Sequence, residues 1–130
     1  MFKVVMQVRD YECDLQGVVN NAVYQNYLEH ARHQFLRANG IDFAALTAQG
    51  VHLMLTSIEL QFKSPLRPDD LFEVTVRLRK MGKLRYLFEQ QVVCEDGQVM
   101  VQAQAVGVAL SESGRPMQYA PLDALVEREA

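Results

Sequence analysis

Apolar residues occupy every second position from Phe2 to Val8, which is the period of a half-buried β-strand. The same period returns in four later segments, Val51–Lys63, Leu71–Lys80, Leu84–Glu95 and Gln98–Leu110. In the first of these four the phase slips around Thr56 and Ser57, where a strand that keeps one face apolar needs an extra residue. The pattern therefore predicts five strands, the second of them interrupted by a bulge or bend.

A different period runs from Asn21 to about Asn39, where apolar residues recur three and four positions apart. This spacing places them on one stripe of a helix. The residues of the stripe are Tyr24, Tyr27, Leu28, Ala31, Phe35 and Leu36. Asn20 or Asn21 is a suitable N-cap, and Asn39-Gly40 is a suitable end. We therefore predict one long helix, and a short C-terminal helix in PLDALVERE, residues 121–129.

The predicted elements follow one another as a strand, a long helix and four more strands. Asp96-Gly97 is a strong hairpin signal, Gly82 marks the turn before it, and the two prolines of residues 64–70 mark a connector. Consecutive strands joined by such short turns pair in antiparallel fashion. We therefore predict an α+β fold with one antiparallel sheet against one long helix, formed by a single domain over residues 1–130.

One helix covers only one face of a five-stranded sheet, and the last predicted strand is apolar on both faces. One face carries Val99, Val101, Ala103 and Ala105, and the other carries Met100, Val106, Val108 and Leu110. Apolar surface that is left uncovered in this way marks an interaction surface. We expect the chain to form at least a homodimer, with a homotetramer as the expected final assembly.

Composition and charge narrow the range of functions. Hydrophobic residues make up 49% of the chain and charged residues 22%, which is typical of a globular protein. No apolar run approaches the ~20 residues of a membrane span, and a net charge of -3 argues against a broad surface for nucleic acid. The alternating start of the chain is unlike a signal or transit peptide, so we expect a cytoplasmic protein. Cys13 and Cys94 match no disulfide or zinc pattern.

Acidic residues at Asp10, Glu12 and Asp14 have the alternate spacing that opens a calcium-binding loop. The sixth position of such a loop is a glycine and the twelfth is a glutamate. This chain has Leu15 and Asn21 at those positions, so we reject a calcium site.

His30 and His33, together with Glu29, lie on the predicted helix without a third donor at a metal-binding spacing. A solvated helix face explains them better. Cys13 has no histidine nearby in the sequence to act as its base, and a small apolar filler is its simpler role. The sequence thus indicates no metal and no other cofactor.

Asp14, Gly17 and the helix start at residues 20–22 remain, and two interpretations of them stay open. In the first, Asp14 caps the backbone of a turn and Gly17 adopts a positive φ, which is common in connectors. In the second, unpaired backbone N–H groups at the helix start hold a carbonyl oxygen as it becomes an oxyanion. Asp14 then attacks that carbonyl or activates a water, and Gly17 lets the backbone approach the ligand. The second interpretation describes an acyl-transfer site without serine, cysteine or metal.

The segment DLQGVVNNAVY, residues 14–24, resembles the D-x-x-G-x-V-x-x-x-x-Y signature of the 4-hydroxybenzoyl-CoA thioesterase family, which has the hotdog fold. The longer segment VRDYECDLQGVVNNAVYQNYLEHARHQFL, residues 8–36, is similar to plant acyl-lipid thioesterases and their bacterial relatives. The predicted order of strands and helix is that of the hotdog fold, so the resemblance covers nearly the whole chain. It implies a five-stranded antiparallel sheet wrapped against one long central helix.

The resemblance also implies roles for individual residues. Asp14 matches the family's catalytic aspartate, a nucleophile or general base, and the backbone N–H of Asn21 matches the group that polarises the thioester carbonyl. Many relatives have histidine where Val18 stands, and tyrosine or histidine in place of the Asn21 side chain. In another branch of the superfamily the working carboxylate lies on the helix, which makes Glu29 the reserve candidate. The simpler role of Glu29 is an ion pair with Arg32 or His33 on the helix surface.

The segment RLRKMGKLR, residues 77–85, is strongly basic and lies at the predicted turn between the third and fourth strands. Coenzyme A presents phosphates and acyl carrier protein presents an acidic surface, so a basic edge suits either partner. A pair of solvated strand ends is the alternative. The resemblance selects Lys83 and Arg85, which fall near the family's usual nucleotide-contact region.

The expected function is hydrolysis of fatty acyl or 3-oxoacyl thioesters of acyl carrier protein or CoA. The alternatives are an aromatic acyl-CoA thioesterase, of hydroxybenzoyl or dihydroxynaphthoyl type, and a non-catalytic acyl-CoA-binding hotdog module. A hydratase of similar shape would place a histidine near the helix start, whereas the histidines are at positions 30, 33 and 52. The wall of the acyl pocket should discriminate among the substrates. Leu53, Leu55, Phe62 and Met81 are considered for this wall, and the sequence alone does not place them around a ligand.

Overall fold

Five long strands form one antiparallel sheet, to which a strand of two residues adds at one end. The structure, a computed structural model, describes residues 1–127. Its strands are β1 (Phe2–Gln7), β2 (His52–Phe62), β3 (Leu71–Met81), β4 (Arg85–Cys94), β5 (Val99–Leu110) and β6 (Pro116–Met117). They lie in the order β1-β3-β4-β5-β2, and β6 pairs with the last residues of β5. Strands β1 and β2 therefore form the two edges of the sheet.

The long helix α1 (Asn21–Ala38) packs on the buried face of this sheet. All six residues of its predicted apolar stripe are buried, which confirms the helical period. The ring of Phe35 lies 5.5 Å from that of Phe2 on β1, and the ring of Tyr27 lies 4.7 Å from that of Phe72 on β3. The predicted α+β fold, one antiparallel sheet against one long helix, is confirmed.

Small residues on the inner strand β5 leave room for the helix. Ala103, Ala105 and Ala109 are buried on one face of β5, and the alternating pattern had placed the first two on a common face. Larger residues at the same positions would hold the helix away from the sheet. On β3, Val74, Val76 and Leu78 alternate with partly exposed polar residues and are fully buried.

The expected bulge or bend in β2 is confirmed, because the register between β2 and β5 shifts between Leu55 and Ser57. The short helix α2 (Phe43–Ala48) was not predicted; with six residues it is too short to display a helical period. The C-terminal helix α3 (Ala120–Asp123) is shorter than the predicted residues 121–129, of which the last two lie outside the described residues. Among residues 1–127, no helix combines the length and the hydropathy that crossing a membrane requires.

Helix α1 and the edge strand β2 run in opposite directions. The first half of α1 lies beside the end of β2, where the rings of Tyr24 and Phe62 are 5.6 Å apart. The second half of α1 lies beside the beginning of β2, where Leu36 and Leu53 line the same cavity. The two ends of β2 therefore lie beside different halves of the helix.

Candidate active site

Residues 13–19, here called the site turn, form a small hairpin before α1. Asp14 N–H donates to Val18 O at 2.9 Å, Gly17 N–H donates to Asp14 O at 3.0 Å, and Cys13 pairs with Val19 as an isolated antiparallel bridge. Gly17 has a φ of 74°, a left-handed conformation that glycine adopts without steric cost. The turn that the sequence suggested is therefore present, with its glycine in the expected conformation.

The carboxylate of Asp14 is half-buried and takes part in the turn. Its Oδ1 accepts a hydrogen bond from Gln16 N–H at 2.9 Å, which is the side-chain capping expected of a connector. Its other oxygen accepts no hydrogen bond from the part of the chain that the structure describes. One oxygen thus fixes the orientation of the carboxylate, and the other is left for a further partner.

The start of α1 presents a backbone donor next to this turn. Asn20 is the N-cap, since its side chain accepts a hydrogen bond from Ala22 N–H at 2.9 Å. The N–H of Asn21, the first residue of the helix, donates to no acceptor within residues 1–127. Such an unpaired N–H carries part of the positive end of the helix dipole.

Glu12 holds the site turn against the helix. Its backbone oxygen accepts from Asn20 N–H at 3.0 Å, and its Oε1 accepts from Tyr27 OH at 2.7 Å and from Arg9 N–H at 2.8 Å. Burial and the hydrogen bond to Glu12 both raise the pKa of Tyr27, so its hydroxyl stays protonated and able to donate. The sequence pattern around Glu12 suggested only a calcium ligand and gave no sign of this supporting role.

The site turn rests on the connector that precedes β3. Val19 N–H donates to Leu66 O at 2.9 Å, and Leu66 N–H donates to Tyr24 OH at 3.0 Å. Leu66 itself is fully buried. Asp14 and the start of α1 therefore lie at the end of the sheet where β3 begins, at Leu71.

Lys83 and Arg85 lie at the opposite end of the sheet. Arg85 pairs with Met81, the last residue of β3, and Lys83 is in the turn between β3 and β4. The length of β3 separates this turn from Leu71 by roughly 30 Å. Within one chain, the structure does not bring the two basic residues together with Asp14.

Most of the basic segment 77–85 is already neutralised by ion pairs. Arg77 pairs with Glu127, Arg79 with Glu89 and Lys80 with Asp123. Lys83 and Arg85 are exposed and form no ion pair with another residue in the described part of the chain. They remain the two residues of the segment whose charge is available to an anionic partner.

Glu29 is exposed on α1 and makes only a long contact, 3.9 Å, with His33 Nε2. The ion pair with Arg32 that the sequence allowed is not formed. Arg32 is buried and donates instead to Gln90 Oε1 at 3.0 Å, and Gln90 donates to Leu28 O at 3.0 Å. Burial lowers the pKa of Arg32, although the charge of Glu29 acts in the opposite direction.

A mainly apolar cavity of about 180 Å³ lies between the second half of α1 and the sheet. It is lined by Glu29, Arg32, His33, Leu36, Phe43, Leu53, Met54, Leu55, Tyr86, Phe88, Gly107, Val108 and Leu122. Of the four candidate pocket residues, Leu53 and Leu55 line this cavity. Phe62 packs against Tyr24 near the site turn, and Met81 does not border the cavity.

His33 borders the cavity with its ring packed against Phe43, at 4.7 Å between centroids. Burial lowers the pKa of His33, which favours the neutral imidazole at neutral pH. Its contact with Glu29 is therefore a weak one. Among residues 1–127, no three acidic, histidine or cysteine side chains cluster closely enough to bind a metal ion.

One long helix packed across an antiparallel sheet of this strand order defines the hotdog class of folds. The chain belongs to the thioesterase-like superfamily, whose family model matches residues 8–124. The matched range contains the site turn, α1, strands β2–β6 and α3.

Named relatives and solved structures agree with this family. A chloroplastic acyl-acyl carrier protein thioesterase of Arabidopsis thaliana is 36% identical over 116 residues, which cover 88% of this chain and 61% of that protein. The chain thus spans about three fifths of the length of that plant relative. A long-chain acyl-CoA thioesterase of Escherichia coli K12 is 30% identical over 99 residues, covering 75% of this chain and 74% of that protein.

A 1,4-dihydroxy-2-naphthoyl-CoA thioesterase from Synechocystis has a similar structure, with a TM-score of 0.90 over 96% of this chain and 94% of that chain. At 17% sequence identity, this likeness concerns the fold alone.

Proposed function

We propose that the protein is an acyl thioesterase that hydrolyses fatty acyl or 3-oxoacyl thioesters of acyl carrier protein or CoA, with Asp14 as its catalytic carboxylate. The observation that carries this proposal is that Asp14 and the unpaired N–H of Asn21 lie at the same end of α1. The hairpin sets Asp14 opposite Val18, three residues before the unpaired N–H of Asn21. The names of the plant and bacterial relatives support the substrate class. The signature of residues 14–24 supports a place near the 4-hydroxybenzoyl-CoA thioesterases.

Thioester hydrolysis needs a nucleophile at the carbonyl carbon and a donor for the carbonyl oxygen. In this proposal the N–H of Asn21 donates to that oxygen, and the positive end of the α1 dipole stabilises the charge that develops on it. Gly17 has no side chain, so the backbone of the turn can come close to the substrate.

Asp14 can act in either of two ways. As a general base, it takes a proton from water, the water oxygen attacks the carbonyl carbon, and the C–S bond breaks to release the thiolate, which takes up the proton. As a nucleophile, it attacks the carbonyl carbon itself, and the C–S bond breaks to release the thiolate and leave a mixed anhydride. Water then hydrolyses the anhydride, and a proton of that water passes to the thiolate. Both routes consume one water and give a carboxylic acid and a thiol.

A homodimer completes the site in this proposal. A single chain holds Asp14 at one end of the sheet, whereas the cavity and Arg85 lie towards the other end. A two-fold axis near Ser57, the middle of β2, would pair β2 of two copies in antiparallel fashion. Each Asp14 would then come near the cavity end and the basic turn of the second copy, where an acyl chain and an anionic carrier can bind.

The test is a thiol-release assay with Asp14→Asn, which removes the negative charge and keeps the size of the side chain. We expect loss of turnover by a factor of about 10³ or more, because a group that reacts in the transition state is lost, while the circular dichroism spectrum is unchanged. Asp10→Asn is the matched control, since Asp10 lies in the same loop and its carboxylate only accepts a backbone hydrogen bond from Tyr11 at 3.0 Å.

Retained turnover in Asp14→Asn, together with loss in Glu29→Gln, would overturn the assignment and move the carboxylate onto the helix. Substrate panels separate the remaining alternatives. An aromatic thioesterase would prefer hydroxybenzoyl or dihydroxynaphthoyl thioesters over aliphatic ones. A binding module would bind acyl-CoA in calorimetry and release no thiol from any thioester.

A further inference from the structure

The C-terminal helix α3 closes one end of the apolar cavity. Its residue Leu122 is buried, with 2% of its surface exposed, and borders the cavity beside Tyr86. Leu122 belongs to no element of the central sheet and plays no part in the proposed chemistry. It is therefore a candidate for shaping what the cavity accepts.

The shape of the cavity follows from one row of paired residues across the sheet. Leu55 on β2 pairs with Gly107 on β5, and Gly107 pairs with Tyr86 on β4. Two strand spacings separate the ends of this row by about 10 Å. Because Gly107 has no side chain, the middle of the row carries none, and the cavity borders its backbone. The cavity thus runs inward from the β2 edge and ends at Tyr86 and Leu122.

Polar contacts hold α3 firmly at this inner end. Asp123 Oδ1 accepts hydrogen bonds from Tyr86 OH, at 2.7 Å, and from Lys80 Nζ. Tyr119 N–H donates to Tyr86 OH at 3.1 Å, and Lys80 Nζ lies 4.3 Å from the centre of the Tyr86 ring. Tyr86 therefore borders the cavity with its ring and anchors α3 with its hydroxyl.

The backbone after α3 is fixed as well. Glu127 N–H donates to Leu78 O at 2.8 Å, so the segment from Tyr119 to Glu127 is tied to the sheet at both of its ends. A segment anchored in this way cannot move aside for a longer ligand without losing several hydrogen bonds. The wall that Leu122 forms is thus a fixed one.

We propose that Leu122 is a specificity-determining residue, which sets the length of acyl chain that the cavity accepts by blocking its inner end. The inference rests on the proposed function, in that it takes the cavity as the acyl site. The ligand class it predicts is an unbranched aliphatic acyl group whose terminal methyl meets Leu122 and Tyr86. A shorter residue at position 122 lengthens the cavity, and acyl chains longer by about two methylene groups then fit.

The experiment compares wild type with Leu122→Ala on a series of even-numbered saturated acyl-CoA thioesters, from short to long. We expect the optimum of kcat/KM to move to a longer acyl chain. In the variant, the ratio of kcat/KM for that longer chain to kcat/KM for the chain that wild type prefers should rise roughly tenfold, since one methylene group in an apolar pocket is worth about that factor. Leu125→Ala is the matched control, because Leu125 is a half-buried leucine of the same segment that does not border the cavity.

Binding of non-hydrolysable acyl-CoA thioethers, measured by calorimetry, gives the same comparison without catalysis. If the Ala variant does not fold, Leu122→Val should produce a smaller shift in the same direction. The inference is overturned if the preferred length is unchanged, or if Leu125→Ala shifts it equally. Failure of every thioester to release thiol would refute the proposed function instead, and the thioether series would still report on Leu122.

Discussion

Polar side chains in the interior of this protein bind partners that are distant in the sequence. Tyr27 donates to Glu12, 15 residues before it, and Arg32 donates to Gln90, 58 residues after it. Leaving such a buried group without its partner would cost about 1–3 kcal/mol. The helical period predicted that Tyr27 is buried. It could not identify the acceptor of its hydroxyl, because that acceptor lies on another element.

His33 links the protonation of one residue to the stability of the fold. Burial lowers its pKa, and the positive charges of Arg32 and His30 add to this, while Glu29 opposes it. The unfolded chain therefore binds the proton more readily than the folded chain. The contribution of His33 to stability is complete above about pH 6.5, the ordinary histidine pKa, and is lost as the pH falls through the lower folded-state pKa. We expect the midpoint of thermal unfolding to decrease over this range.

Substitution separates this effect from general acid sensitivity. In His33→Gln the side chain does not titrate, so the decrease in melting temperature below about pH 6.5 should become smaller. His52→Gln is the matched control, because His52 is exposed on β2 and is not among the charges that act on His33. Equal pH profiles for wild type and His33→Gln would show that His33 does not link protonation to folding.

At the scale of elements, the sequence predicted the helix and strands that are long enough to show a hydrophobic period. The helix α1, the four long strands after it and the bulge near Thr56 all follow from apolar positions that recur over ten or more residues. The six-residue helix α2 and the two-residue strand β6 are too short for any period. Helix α3 is fixed by tertiary contacts of Leu122 and Asp123, so its true end could not be predicted locally.

Within the strands, Gly107 is a position at which the addition of a single methyl group should have a large effect. A Cβ at this residue would lie 3.1 Å from Met54 O, so the neighbouring strand would have to move. It would also fill part of the cavity between Leu55 and Tyr86. We expect Gly107→Ala to lower the free energy of unfolding by about 1–3 kcal/mol, the usual cost of overpacking. Urea denaturation measures this change.

The same variant should lower kcat/KM for the longer acyl thioesters more than for the short ones, because the cavity loses length. Val106→Ala is a suitable control, since Val106 is the preceding residue on β5 and does not border the cavity. A Gly107→Ala protein with wild-type stability and an unchanged substrate series would refute both parts of this prediction.

At the scale of the whole chain, the candidate groups divide between two ends of the sheet. The site turn and the helix start could be predicted together because Asp14, Gly17 and Asn21 are close in sequence. The distance from Asp14 to Lys83 and Arg85 could not, since it depends on the direction and length of β3. The family resemblance assigned all of these residues to one active site. Within a single chain, however, Lys83 and Arg85 lie far from the site turn.

A second copy of the chain that pairs with the open edge of β2 would bring the site turn of one protomer near the basic pair of the other. An edge strand offers unpaired backbone N–H and C=O groups, and this one also exposes Met54, Leu55 and Phe62, the first and last by 51%. Neither a charge nor a proline blocks its middle, around Thr56 and Ser57. Antiparallel pairing of two β2 strands would continue the sheet through both protomers and cover these side chains.

We expect the wild-type protein to sediment at no less than twice its chain mass of 14.8 kDa, and Leu55→Lys to sediment as a monomer, because the pairing would bury the new charge. Leu71→Lys is the matched control, since Leu71 is exposed to 44% against 46% for Leu55 but lies away from the β2 edge. Sedimentation equilibrium measures both masses. Because the proposed site needs two copies, the specific activity of the wild type should fall on dilution below the dimer dissociation constant. A wild-type monomer with full activity at every concentration would contradict the composite site.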